Sequence, residues 1–420
     1  MIQFIERNLK QIQQGGSAVL FRKVTNILCC ILAIIAVLIM RLIKPWLLVR
    51  LDKLISSRIG HFAANTEIYF CERDAGLNMP NQRYMDIFYL EKPVCNKQLT
   101  IMWQRVLRIW PAWIVESIIL VNQLIPGGKA HKIGTNTQDD RDVHNLLDRF
   151  PPHLEFTAEE EALGKAGLQA MGLPDGAQFV CLNVRDSAFL DGLFSTGGWD
   201  YHNYRDSDIQ NYVLAAEELA DRGYFVIRMG VKVQSSINST HPKVIDYAAN
   251  GMRSDFMDIY LGAKCDFCIS TSSGFDAIPT IYRRPIVFVN SLPVGYSSTF
   301  CDKYISITKH HFSTQLNRSL TLSEIFSHGV GFGHFSSDYE TKGVELIENT
   351  PEEIRDVAIE MVERLAGIWQ VHADDEALQQ RFWEIFPSDV VDASIGNPLH
   401  GKISGRFGAA FLRNSPQFLE

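Results

Sequence analysis

The chain has no surplus of positive charge. Its 40 Lys and Arg are outnumbered by 48 Asp and Glu, a net charge of −8, which argues against wholesale nucleic-acid binding. Cysteine is sparse and unpatterned: the eight residues have no framework spacing. Most of them, Cys29, Cys30, Cys181 and Cys268 among them, sit in apolar runs, as reduced and buried thiols do in a cytosolic compartment. Cys265 and Cys268 have CxxC spacing, but no second pair or histidine cluster accompanies them, so strand packing is favoured over zinc or redox chemistry. There is no GxSxG elbow, no Walker A sequence, no internal repeat and no low-complexity tract. The glycines of "GVGFGHFSS" (329–337) follow no clear strand, which removes a dinucleotide-binding reading.

Long hydrophobic runs are also scarce, with one exception. "NILCCILAIIAVLIM" (26–40) approaches membrane-spanning length once Leu42, Ile43 and "PWLLV" are added, and basic residues flank it on both sides. No small-residue cleavage site follows, so a signal peptide is disfavoured. The expectation is a membrane anchor over 1–45, spanning or interfacial, with the bulk of the chain on the cytoplasmic face of the inner membrane.

From Leu47 onward the pattern becomes α/β. "LLVRLDKL" and "MDIFYL" (85–90) read as strands, and "FAANTEIYFCERD" and 97–110 as helices. A polar stretch over 129–157 reads as a connection. Thr157 and Glu160 then form a capping box for the next helix. Strands at 177–185, 224–230, "CDFCIST" and "RPIVFVN" alternate with helices such as 208–223 and "GFDAIPTIYR". Short turns between them predict a parallel sheet covered on both faces. The expected division is a first α/β unit over 46–157, a second over 158–350, and a helical tail over 351–420 that packs back on the first unit.

Open parallel sheets bind ligands beyond the carboxyl ends of their strands, and four polar clusters fall there. In "ISTSSGFDA", Ser270, Thr271, Ser272, Ser273 and Gly274 end a buried strand and precede a helix, an arrangement suited to phosphate or carboxylate; an ordinary Ser/Thr N-cap is the alternative. In "CLNVRDSAFL", Arg185 can grip a diphosphate, and Asp186 can orient it or act as a base; an interdomain salt bridge is the alternative. The loop "WDYHNYRDSDIQNY" brings His202, Asn203, Arg205 and Asp206 together with aromatic rings, as hydroxyl-rich ligands require, while Asp206 could equally cap the following helix. Arg228 ends the next strand and adds a cation. In "SRIGHFAANTE", Arg58, Gly60, His61 and Asn65 lie at a turn into a helix, with His61 and Asn65 on one face; Asn96 starts another helix at the same edge.

"SRIGHFAANTE", "YHNYRDSDIQNY", "GYFVIRMG" and "CDFCISTSSGFDAIPTIYRRP" together resemble a family of bacterial glycosyltransferases with a two-domain GT-B-like fold, from about Leu47 to the C-terminal "NPLHGKISGRFGAAFL". A looser likeness is to fucosyltransferase-like enzymes, although a single Arg185 followed by Asp186 stands where those enzymes carry paired arginines. The resemblance implies two Rossmann-like domains facing across a cleft. A nucleotide-sugar donor would bind the C-terminal half and a glycan or lipid-linked acceptor the N-terminal half. Donor contacts would come from Arg185, Arg228 and residues 270–274. Acceptor-side contacts would come from Arg58, Gly60, Asn65, Asn96, His202, Asn203 and Arg205, with His61, Asp186 or Asp206 as catalytic base. "TQDDRD" lies in a polar stretch and supplies no DxD element in a strand context, so neither a metal nor any other cofactor is expected. A nucleotide-sugar 2-epimerase and a non-catalytic, membrane-tethered nucleotide-binding protein are the competing expectations.

Overall fold

The computed structural model describes residues 31–134, 140–186, 200–392 and 396–420. Its centre is an all-parallel seven-stranded sheet. The strands are β3 (Phe179–Asn183), β4 (Phe225–Arg228), β5 (Val244–Ile245), β6 (Phe267–Ser270), β7 (Ile286–Phe288), β8 (Tyr304–Ser306) and β9 (Arg406–Phe407), in the order β9-β8-β7-β6-β3-β4-β5. Every residue of β3, β6, β7 and β8 is buried. That is the signature of parallel strands covered on both faces, and the reason they read as unbroken apolar runs. One face is packed by Val180, Leu182, Ile269 and Val287, the other by Cys181, Ile227, Cys268 and Ile286. The CxxC pair is thus sheet packing: Cys265 and Cys268 are fully buried.

The order reverses at one place. From β3 the chain moves outward through β4 to β5, then returns to β6 on the other side of β3 and continues to β7 and β8. The crevice at the carboxyl ends of β3 and β6 is therefore the topological switch point, where ligands of open α/β sheets bind.

The N-terminal unit is smaller than two full Rossmann-like domains would require. Among the described residues its ladder is two-stranded, β1 (Leu48–Leu54) parallel to β2 (Tyr84–Leu90), joined by helix α2 (Ile59–Asp74). Isolated parallel bridges at Lys132 and Ile109 extend it on either side. Helix α2 begins at Ile59, inside the segment expected as a turn. One face of the ladder meets helix α1 (residues 31–43) and helix α4 (Ala112–Leu124); the other meets α2 and helix α3 (Lys97–Val106). No helix of the described residues is long and apolar enough to cross a membrane. The expected anchor is covered only from Ile31 onward, and there one stripe, Ala33, Val37 and Met40, is buried against Val49, Leu51, Ile87, Val115 and Ile118.

The tail departs from expectation in part. The helix Pro351–Leu365 packs Ile354, Val357 and Met361 into the core of the seven-stranded sheet, and β9 pairs with β8 at its edge. The tail completes the second unit, while Lys402 also meets Asn145 of the segment expected in the first. The tail's apolar positions match the unfilled edge and face of the second unit.

Candidate functional site at the strand switch point

Asn183 and Ser270 are paired in register at the ends of β3 and β6, so the two chains emerge side by side. The next residues lock together. The Arg185 N–H donates to Thr271 Oγ1 at 2.9 Å, and the Thr271 N–H to the Asn183 carbonyl at 3.2 Å. Asn183 Nδ2 donates to Ser273 Oγ at 2.6 Å and Ser270 Oγ at 3.2 Å. Ser272 stands at φ 58°, a left-handed conformation that a serine adopts only under constraint from its surroundings. Its Oγ lies 3.1 Å from Ser291 Oγ, beyond the end of β7.

The helical signal expected after this turn is weaker than the sequence suggested. The turn Gly274–Asp276 and the helix Ala277–Ile281 are short, and the chain supplies its own carboxyl group there. The Asp276 carboxylate accepts the Ser273 N–H at 2.6 Å and the Ser270 hydroxyl. Burial pushes its pKa up from 3.8 to about 7. Ser270 and Ser273 are therefore used in holding the turn, and a helix dipole is not its principal attraction for an anion.

That attraction comes from cations. Arg185 is largely buried, and its Nε lies 3.1 Å from Asp206 Oδ1. Arg205 Nη2 donates to the Ser272 carbonyl at 2.6 Å, so a residue expected on the acceptor side stands at the serine turn. Lys309, just beyond β8 and nearly fully buried, donates to the Asp206 carbonyl at 2.6 Å. Burial lowers the Arg185 pKa, with the Arg205 charge adding to it, and burial likewise lowers that of Lys309. Burial raises the pKa of Asp206, against the pull of Arg185 and Lys309. Three cations thus crowd around Asp206: Arg185 follows β3, Lys309 follows β8, and Arg205 comes from the 3-10 segment Asp200–Arg205. Lys309 escaped the sequence reading because β8 is three residues long, too short for its carboxyl end to be recognised.

Two expected participants are engaged elsewhere. Arg228 is 1% exposed and binds the Ser235 carbonyl at 2.6 Å and Asp246 at 3.3 Å. Asp186 accepts the Gln234 N–H at 2.9 Å and faces Arg228 at 3.9 Å. Both hold the loop after β4, and the Asp186 charge still reaches Asp206, where it helps raise that carboxyl's pKa. A cation that ends an apolar strand looks the same in sequence whether it points out of the sheet or folds back into it.

The first unit reaches the same crevice through a glycine contact. A Cβ on Gly60 would lie 3.1 Å from Gly274 Cα, so the start of α2 is in backbone contact with the serine turn. His61 follows directly, its Nδ1 3.4 Å from Oδ1 of the buried Asn65. Arg58, exposed, caps α2 through its backbone, without a side-chain cap. Asn96 caps α3 by accepting the Leu99 N–H at 2.8 Å and donates to the Asp255 carbonyl at 2.9 Å, so it joins the two units structurally rather than lining an acceptor site. Asn203 is exposed, and it and His202 lie on the 3-10 segment Asp200–Arg205. Glu67, Cys71 and His153 come close enough together to hold a metal, but Arg283 occupies the group, 2.6 Å from Glu67 and 3.5 Å from Cys71 Sγ.

No known protein family matches the chain, and no curated protein does. Among solved structures the chain is similar to ADP-heptose LPS heptosyltransferase II of E. coli, with 14% identity over 75% of this chain and 98% of that one, at a TM-score of 0.40. It is also similar to a family 9 glycosyl transferase from Veillonella parvula, with 12% identity over 75% of this chain and 96% of that one, at a TM-score of 0.43.

Proposed function

We propose that the chain transfers a glycosyl group from a nucleotide-sugar donor to a glycan or lipid-linked acceptor, with the donor diphosphate held at the β3–β6 switch point. The observation that carries this reading is the convergence of Arg185, Arg205 and Lys309 on Asp206 and the serine turn, beside the carboxyl ends of β3 and β6. Cations fixed and partly desolvated before the reaction stabilise the charge that develops on a departing diphosphate. They supply what a divalent ion would otherwise provide, so the transfer is read as needing no metal. A diphosphate competing for Arg185 would release the Asp206 carboxylate. Its burial-raised proton affinity suits removal of a proton from the acceptor hydroxyl. His61, entering from the first unit beside Gly60, is the alternative base.

The deciding experiment incubates the full chain with a panel of nucleotide sugars, with and without candidate lipid-linked glycans. Nucleoside diphosphate released only when acceptor is present supports the transferase. Sugar interconversion without acceptor would instead mark an epimerase, and nucleotide binding with no turnover a non-catalytic role. Either result overturns the proposal.

A further inference from the structure

The first unit carries an apolar face remote in sequence from the switch-point residues. Helices α1 and α4 lie together on the β1–β2 ladder, tied by Arg41 Nη2 donating to Asn122 Oδ1 at 2.8 Å. Each buries one stripe and leaves the opposite one in solvent. On α1 the outward stripe includes Ile35, Leu38 and Leu42, 50%, 57% and 72% exposed; on α4 it includes Trp113, Leu120 and Leu124, 61%, 63% and 84% exposed. A run of exposed apolar side chains shared by two adjacent helices marks an interaction site.

We infer that this face docks flat on an anionic phospholipid bilayer. Three observations select that occupant. The first is the buried stripe of α1. Ala33, Val37 and Met40 are at most 7% exposed against the ladder, so this part of the helix cannot be surrounded by lipid without leaving its own core. It can lie in the interface with its outer face immersed. The second is aromatic: Trp46 and Trp110, 72% and 45% exposed, accompany Trp113, and tryptophan favours the headgroup level of a membrane. The third is charge. The stretches 31–47 and 107–134 contain Arg41, Lys44, Arg108, Lys129 and Lys132 against one carboxylate, Glu116, although the chain as a whole is at −8. Arg108, Lys129 and Lys132 are exposed. A local excess of cations attracts anionic headgroups. The same excess disfavours a second copy of the chain, because a twofold interface would set like charges against each other.

The docking is independent of the transfer chemistry, so it is read without turnover. The full chain is floated with vesicles of phosphatidylcholine containing phosphatidylglycerol. It should rise with the vesicles, less so with phosphatidylcholine alone or at high salt. The double variant Leu38→Glu/Leu120→Glu should lose at least about tenfold in partitioning, since two immersed leucines become charges. Both positions are exposed, so its melting temperature should stay at the wild-type value. Wild-type protein that does not float overturns the inference. So does a double variant that floats undiminished, which would move attachment to another part of the chain. Sedimentation showing a vesicle-free dimer that the variant dissociates would assign the face to self-association instead.

Discussion

At the residue scale the site divides into groups that hold the crevice and groups left facing it, and substitutions separate them. Arg185→Ala removes a cation that would oppose charge in the transition state, so turnover should fall by about a hundredfold or more with the fold intact. Steady-state kinetics beside a melting curve measure both. Arg228→Ala should behave in the opposite way. The buried arginine holds the Ser235 carbonyl and the part-buried Asp246, so its loss leaves a cavity and an unpaired carbonyl and should cost about 1–3 kcal/mol of stability in urea denaturation. Asp276 provides a pH test. Its pKa is raised from 3.8 to about 7, so the folded state keeps a proton that the unfolded chain has already lost. Its contribution to stability is therefore full below pH 4 and is lost as the pH rises to 7. Asp276→Asn should flatten that fall, measured as the difference in melting temperature between variant and wild type from pH 4 to pH 8. The sequence showed this cluster as hydroxyls at a strand end. It could not show that Ser270 and Ser273 would be bound by the chain's own carboxylate, because that depends on how far the turn curls back.

At the element scale the two units are joined by α2. Its first turn touches the serine turn at Gly60, and its middle is pinned by Glu67, which is fully buried and accepts from Arg283 at 2.6 Å, with His153 Nδ1 3.0 Å away. Gly60→Val would place side-chain carbons against the Gly274 backbone. It should cost about 1–3 kcal/mol and weaken nucleotide binding, because the two turns must separate. Isothermal titration together with urea denaturation would show both effects. The central strands were legible because burial on both faces writes itself as a continuous apolar run. The C-terminal strands were not. β8 and β9 are three and two residues long, and periodicity cannot register segments that short. The packing of the tail on the second unit was not legible for the same reason, since its partner was an edge that local pattern does not reveal.

At the scale of the whole molecule, the switch-point reading predicts that a nucleoside diphosphate raises the melting temperature. A hundredfold excess over the dissociation constant should add about 2.7 kcal/mol of apparent stability. A panel of UDP, GDP, ADP and CMP forms, with Arg185→Ala as control, would identify the base and test the anion site together. No shift with any nucleotide would remove the donor site from the crevice.

The amino-acid sequence alone determined that the chain would build a parallel α/β sheet, that polar clusters would stand at its strand ends, and that its N-terminal stretch would be strongly apolar. These follow from local periodicity and composition, which each segment carries by itself. Only the tertiary structure decided which cations would meet, bringing Lys309 to Asp206 and Arg205 to Ser272 while turning Arg228 inward. It also decided that α1 would rest one face on the β1–β2 ladder, leaving the other to pair with α4 as a surface. Side-chain direction and the meeting of segments a hundred residues apart are products of packing, and no local stretch of sequence encodes them.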